Sequence, residues 1–548
     1  MWAAADFDKT RVLLDHGADV NARSSDIRTP LMIAAGHPGN ASTVKLLLER
    51  HANPNPNPHP AAESSPLIEA AMAGDAASME LLLGHGADVK ASGEPVLEMA
   101  VTEQCAKCLA LVSGKDLGKD AYTGTLATIA MLGDVNAVRM MLDHGADVNA
   151  FDSLGRTPLM YAASSDLLNL DVVKLLVDRG ADVNARDADK NAGDSGKPVL
   201  DIARLHGDTP VVEFLVKSGA QATAFKPAAL KPRQGNTVQK AIQETIPLIQ
   251  RADASFPAKA ACISCHNNSL AALAVSSARS HGFSVDEKTA AQQVNANVFG
   301  LQKLRDNLHQ GFFTPVEAFF GPSVVSYMLI GLGAERYQPD LNTDAVAMYL
   351  KSSQSTDGHW PYAAADPRPP ICSDYIGQTV LAMRALQLYA PKTDRATYDQ
   401  SIRLAAAWIA KTQPRDNEDR DWRVLGLAWA SQNKDATAKA VRDLLAAQKP
   451  DGGWSDLDSM GTTPYATGKS LFALQTAGLA SSDPAYERAV RYLLNTQQED
   501  GTWYVRTRAL PVQPYFDAGF PHGFDQWISA AGTSWATLAL SQAGSPAR

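Results

Sequence analysis

The chain has 548 residues, 50 Lys and Arg against 59 Asp and Glu, a net charge of −9 and 45% hydrophobic residues. That length can bury several cores, while the acidic balance leaves no basic field for nucleic acid and no polybasic anchor for a membrane surface. Five cysteines do not make a disulfide framework in so long a chain, and no uninterrupted apolar run reaches the roughly 18 residues of a membrane-spanning helix.

Over residues 1–224 a unit recurs with a period of about 33 residues, the mark of a solenoid. Its clearest copies are Gly17-Ala18-Asp19-Val20-Asn21, Gly86-Ala87-Asp88-Val89-Lys90, Gly145-Ala146-Asp147-Val148-Asn149 and Gly180-Ala181-Asp182-Val183-Asn184. Each follows a Val/Leu-rich helix, which the glycine ends in a left-handed turn, and the Asp and Asn side chains hold the loop beyond. Thr29-Pro30-Leu31-Met32 and Thr157-Pro158-Leu159-Met160 open units, with threonine as cap and proline in the first helical turn. This pattern resembles the ankyrin repeat, in about seven units of which the first is truncated. The resemblance implies a surface for a protein partner or for docking within the chain, and it does not imply catalysis. Cys105 and Cys108 fall on the second helix of a unit, at positions that pack in other units, and read as structural. Because Met1 begins inside a repeat, the true start is expected upstream, together with a signal peptide not present in this sequence.

Residues 225–310 begin as a Pro/Gly/Lys-rich linker and continue as a helix carrying Val238, Ile242, Ile246 and Ile249, with Pro247 as a kink. Cys262-Ile263-Ser264-Cys265-His266 follows. Two thiols at this spacing match the two vinyl groups of a porphyrin, and the adjacent imidazole can reach the iron. The pair Cys105/Cys108 lacks that histidine, and a zinc site would need two further close ligands that do not follow. The expectation is one covalent haem c per chain, attached through Cys262 and Cys265, with His266 as axial ligand. The distal ligand cannot be read from spacing. His522, His309 and Met328 are candidates and a five-coordinate iron is equally open, whereas His281 would lie about 22 Å away along a continuous helix. Covalent haem attachment in bacteria takes place outside the cytoplasmic membrane, so the motif implies an exported, periplasmic protein for electron transfer or redox sensing, with a redox partner.

Residues 311–548 carry a second repeat. Gln354 to Trp360, Gln448 to Trp454 and Gln497 to Trp503 each read Q-x-x-D-G-x-W after an apolar helix, with a weaker copy from Gln413 to Trp422. Gly321, Gly377, Gly468 and Gly532 each open the next apolar helix. Alternating outer and inner helices of this kind build an α/α toroid, and the motifs resemble those of the squalene-hopene cyclase and protein prenyltransferase superfamily. Cyclases of that class protonate substrate with the middle aspartate of Asp-x-Asp-Asp, and that string is absent here. Asp374, the one acid three residues before a helix-opening glycine, is the candidate catalytic acid of a toroid enzyme, although a helix cap accounts for it without catalysis. Nor is the Asp-x-Cys zinc pair of the prenyltransferases present at Pro370-Ile371-Cys372. The expected architecture is all-α: an ankyrin solenoid (1–224), a helical haem segment (225–310) and a toroid (311–548) acting as scaffold or binding cavity rather than as an enzyme. The alternatives are a toroid enzyme acting on an isoprenoid and a structural interaction protein without haem.

Overall fold

The computed structural model describes residues 2–57, 64–103, 105–188, 196–223, 230–260, 265–309, 321–360, 368–371, 375–511 and 514–543. Among them the structure is helical, with only isolated bridges and no strands. Among the described residues no helix is long and apolar enough to cross a membrane.

The N-terminal units each pair two short helices, from Pro30–Ala35 with Ala41–Glu49 to Val199–Ala203 with Pro210–Lys217. Gly180 takes φ 92° where the helix before it ends, a conformation that disfavours any side chain. The asparagine of the recurring motif then ties one unit to the next. Asn149 Nδ2 donates to Gly180 O (2.9 Å) while its Oδ1 accepts Asp182 N–H (2.8 Å), and Asn184 repeats both contacts on Gly219 and Gln221. The repeat is thus a hydrogen-bond ladder as well as a packing pattern.

Twelve helices form the rest: α1 (Val238–Ala260), α2 (Leu270–Ser280), α3 (Glu287–His309), α4 (Gly321–Ala334), α5 (Leu341–Ser352), α6 (Tyr375–Tyr389), α7 (Arg395–Lys411), α8 (Asn417–Ala430), α9 (Lys434–Ala446), α10 (Pro464–Thr476), α11 (Pro484–Thr496) and α12 (Gln526–Ala543). The even helices touch in sequence and α12 touches α2, so the inner ring is closed, and the odd helices lie outside it. Each Q-x-x-D-G-x-W turn is a clamp. Gln354 Nε2 donates to its own turn at Gly358 O (2.8 Å) and to Ser401 O of the next outer helix, α7 (2.9 Å). Gln448 does the same to Gly452 O and to Ala485 O of α11. The tryptophans are fully buried, and each indole N–H donates back to the helix just ended, as Trp454 does to Leu444 O (2.8 Å).

The third clamp reaches back across residue 310. Gln497 Nε2 donates to Ala241 O of α1 (3.0 Å), so α1 is the outer helix that follows α11 around the ring. One hydrophobic core runs from Ala241 to Leu540. The first helix pair therefore closes the toroid instead of forming a separate segment. Its membership was hidden because the place between α1 and α2, where three of the later pairs carry Q-x-x-D-G-x-W, holds the Cys/His motif instead.

Outer and inner helices alternate in direction, so the described residues that lead from an outer to an inner helix lie at one end of the ring. The solenoid docks on that end through the turns between the two helices of its units. Arg508, in the α11–α12 connection, donates to Asp166 through Nε (2.9 Å) and Nη2 (2.7 Å). Ser459, in the α9–α10 connection, donates to His206 O (2.6 Å). Gly39 lies against Thr356, where a Cβ would come within 3.1 Å of the methyl group.

Candidate functional site

Side chains of four inner helices meet inside the ring. Trp422 of α8 meets Tyr327 of α4 and Trp535 of α12 edge-on, with centroids 6.4 and 6.3 Å apart, and Phe472 of α10 lies 5.8 Å from Trp535. Lys469 of α10 is wholly buried among them, with Nζ 3.8 Å from the Trp422 centroid and 5.5 Å from that of Trp535. Its counter-ion is Glu418, whose Oε1 accepts from Lys469 Nζ, from Trp422 Nε1 (3.0 Å) and from Tyr465 OH (3.3 Å). Asp421, one turn further along α8, accepts from Ser470 Oγ (2.7 Å) and Asn417 Nδ2 (3.2 Å). Burial pushes the Glu418 and Asp421 carboxyls up, and the Lys469 ammonium pulls both back.

The local sequence explains this placement. Asp416 caps α8 by accepting Asp419 N–H (2.9 Å), which puts Glu418 in the first turn and aims it inward. Burial and the neighbouring Asp419 push Asp416 itself up to about 7. Asp416-Asn417-Glu418-Asp419 thus opens an inner helix with glutamate at the place of the middle aspartate in Asp-x-Asp-Asp. A search for the literal string passes over it. The available signal was four carboxylates between Asp416 and Asp421 at a helix start.

Towards the solenoid a second charged group is enclosed. Arg508 is 3% exposed and also faces Asp456 Oδ2 at 3.7 Å, while Asp166 lies 3.2 Å from His206 Nε2. Burial opposes ionisation of Asp166, but Arg508 and His206 outweigh it and hold the carboxyl well below the usual range.

The residues expected from sequence fall as follows. Cys262 and Asp374 lie outside the described residues. Cys265 and His266 open a π-helix, Cys265–Ser269, that leads into α2 at the connection end of the ring and packs against α4 and α12. Met328 is buried on α4. His309 ends α3 at the same end as the motif. His522 precedes α12 there, with Nε2 2.6 Å from Thr502 Oγ1; burial pulls its pKa down against the carboxylates of Asp500 and Asp525. His281 follows α2 at the opposite end. Next to the motif the structure encloses an unexpected polar group. Asn268 Nδ2 donates to the buried Asp253 Oδ1 (2.6 Å), whose carboxyl burial pushes well up. The buried atoms Ser269 Oγ, Gln293 Oε1, Asn297 Oδ1 and Ser326 Oγ have no hydrogen-bond partner among the described residues. Cys105 and Cys108, read as structural, are joined in a disulfide.

An ankyrin solenoid docked on a closed α/α ring of cyclase type is the class this architecture defines. Residues 26–57 match the ankyrin repeat, residues 97–187 match three ankyrin copies, and residues 420–548 match the squalene-hopene cyclase C-terminal domain. The chain thus contains ankyrin repeats and a squalene-hopene cyclase C-terminal domain. It is similar to the ankyrin repeat and KH domain-containing protein mask-1 of Caenorhabditis elegans, 33% identical over 213 residues, covering 38% of this chain and 8% of that protein. It is also similar to the drimenyl diphosphate synthase of Streptomyces showdoensis, 27% identical over 192 residues, covering 31% of this chain and 34% of that enzyme. A squalene–hopene cyclase of Bradyrhizobium diazoefficiens is 28% identical over 235 residues, covering 43% of this chain and 29% of the enzyme. The chain therefore spans about a third or less of each relative. The ankyrin repeat domain of human ASB11 is 27% identical, covers 41% of this chain and 97% of its own, and has a TM-score of 0.33.

Proposed function

We propose that the chain is an exported c-type haem protein in which the cyclase-type ring is a scaffold for one covalent haem, and that it serves electron transfer or redox sensing. The observation that carries this reading is the setting of Cys262-Ile263-Ser264-Cys265-His266. The motif stands between α1 and α2 of a closed ring, where three later helix pairs carry the Q-x-x-D-G-x-W turn, and it leads into an inner helix. A structural turn would need neither the thiols nor the imidazole.

The surroundings fit a bound group. Gln293 Nε2 donates to Asn268 O of the π-helix (3.4 Å), and the buried atoms Gln293 Oε1 and Ser269 Oγ have no hydrogen-bond partner among the described residues. Cys262 and Cys265 would hold the thioether links and His266 the iron, with Met328, His309 or His522 as the further ligand. When bound, the haem supplies one-electron transfer. Export rests on the haem motif itself, since covalent haem attachment in bacteria takes place outside the cytoplasmic membrane. The solenoid would present its remaining surface to a protein partner, and a separate redox partner would exchange electrons with the haem.

A second reading, cyclisation of an isoprenoid, is favoured by Glu418 at the start of α8. One feature weighs against it. Burial raises the Glu418 carboxyl towards the neutral form a protonating acid needs, with the Lys469 ammonium and the Trp422 N–H opposing, but Lys469 lies over the aromatic face that would otherwise stabilise a substrate cation.

The test is expression behind a signal peptide in a host with haem-maturation machinery, followed by a haem-peroxidase stain of a denaturing gel. A stained band that Cys262→Ala/Cys265→Ala abolishes supports the haem reading. An exported, folded and unstained chain overturns it. Incubation with squalene and with a linear isoprenoid diphosphate tests the second reading, which requires a cyclic product lost in Glu418→Gln.

A further inference from the structure

The ankyrin unit built on Gly93–Thr102 and Ala106–Ser113 differs from its neighbours at one place. In three other units the residue before the second helix is an oxygen acceptor for N–H groups of the first turn. Asp75 Oδ1 takes Ala77 and Ser78 N–H (both 3.1 Å), Asp134 Oδ1 takes Asn136 and Ala137 N–H (2.9 and 3.0 Å), and Asn169 Oδ1 takes Asp171 and Val172 N–H (3.1 and 3.3 Å). In this unit the position is Cys105, and its Sγ accepts Cys108 N–H at 3.1 Å. Sulfur stands where the fold otherwise holds a carboxylate or amide oxygen, so the backbone here is built to receive negative charge.

The two sulfurs are not equivalent. Cys105 is partly exposed and is followed by the exposed Ala106 and Lys107, whereas Cys108 is fully buried. Their disulfide closes a loop of only four residues, the size at which a crosslink restrains the unfolded chain least. Aspartate would cap the helix better, as it does in the neighbouring units. Stability therefore does not explain the pair, while a half-buried Cys105 followed by the exposed Lys107, with a fully buried Cys108 as its partner, is the asymmetry that thiol–disulfide exchange uses.

We propose that Cys105 and Cys108 form a redox-active couple that exchanges with a protein dithiol, with Cys105 as the sulfur attacked and Cys108 as the buried leaving and resolving thiol. A partner thiolate bonds to Cys105 Sγ and the Cys105–Cys108 bond breaks, its electron pair leaving on Cys108 Sγ, which takes up a proton. The partner's second thiolate then attacks the partner's own sulfur in the mixed disulfide and releases Cys105 as a thiolate, held by the Cys108 N–H and the helix terminus until it too is protonated. The partner has lost two electrons and two protons to this chain, and its dithiol has become a disulfide. The couple lies in the solenoid and is independent of haem at Cys262 and Cys265.

The test uses the full chain equilibrated in graded ratios of reduced to oxidised dithiothreitol. Iodoacetamide is then pulsed at about pH 6.5, where an ordinary thiol is almost wholly protonated. Peptide-resolved mass spectrometry separates Cys105 and Cys108 from Cys262, Cys265 and Cys372. The expected result is reversible reduction of the native protein, with Cys105 alkylated about tenfold or more faster than Cys108 and faster than free cysteine. Cys108→Ser should accumulate a mixed disulfide at Cys105 with oxidised glutathione. Cys105→Asp, which restores the neighbours' cap, should fold and leave Cys108 unreactive. A disulfide that resists reduction until the chain unfolds, or equal alkylation of the two cysteines, overturns the proposal.

Discussion

Breaking the Asp166–Arg508 clasp should loosen the solenoid from the ring without unfolding either. Arg508 is enclosed between Asp166 at 2.7 Å and Asp456 at 3.7 Å. Arg508→Met removes the cation and leaves two buried carboxylates facing each other, a loss of about 3–5 kcal/mol by comparison with other broken buried pairs. Asp166→Asn is milder, about 1.5–3 kcal/mol, because Arg508 keeps Asp456. The double variant should recover part of the sum, with a coupling of roughly 1.5 kcal/mol or more. Hydrogen exchange at residues 164–170 and 505–509 reads the opening directly, and Arg508→Met should accelerate it about 10²–10³-fold. A carboxyl depressed in the folded state contributes its stability above its unfolded value and loses it only as pH falls through the folded one. With Asp166 held well below the usual range, the clasp should stay closed down to about pH 4. Unchanged exchange in Arg508→Met, or single variants that add without coupling, would refute a clasp between solenoid and ring.

Lys469→Met should destabilise the ring by about 3–5 kcal/mol in denaturant unfolding, because Glu418 and Asp421 would lose their buried cation; a loss near zero would mean that both carboxyls are neutral in the fold. Asp416 works in the opposite sense to Asp166. Its folded pKa is raised to about 7, so its favourable contribution is complete below the ordinary carboxylate range and is lost as pH rises from there to about 7. Asp416→Asn, which preserves a capping oxygen, should therefore stabilise the protein at pH 8 by on the order of 1–2 kcal/mol and have little effect near pH 4, as unfolding at the two pH values would show. Gln497→Ala removes donors to Gly501 O and Ala241 O and should cost about 1–3 kcal/mol, with hydrogen exchange rising first in α1.

What the sequence disclosed was local. Gly180 and Asn149 announce a helix end and a loop through their own backbone preferences, and Gln448 with Trp454 announces a turn within seven residues. Such features depend on near neighbours, so periodicity exposes them. The missed features join distant residues. Gln497 bonds Ala241, Arg508 bonds Asp166 and Lys469 bonds Glu418, and nothing in either member of these pairs marks its partner. The first helix pair of the ring escaped notice because it lacks the repeating turn. Asp416 to Asp419 escaped because glutamate replaces the expected aspartate. The Cys/His motif was the reverse case, plain in sequence, with its surroundings in Asp253, Asn268 and Gln293 visible only once α1 and α3 were folded against α2.

The most direct measurement is the intact mass of the exported chain beside that of Cys262→Ala/Cys265→Ala, with the reduced absorption spectrum of each. One covalently bound haem on the natural chain, absent from the double variant, with a c-type band in the reduced spectrum, is the predicted result. A folded, exported chain with the mass of the polypeptide alone would contradict a haem role and leave the ring as an unhaemed scaffold or a divergent cyclase.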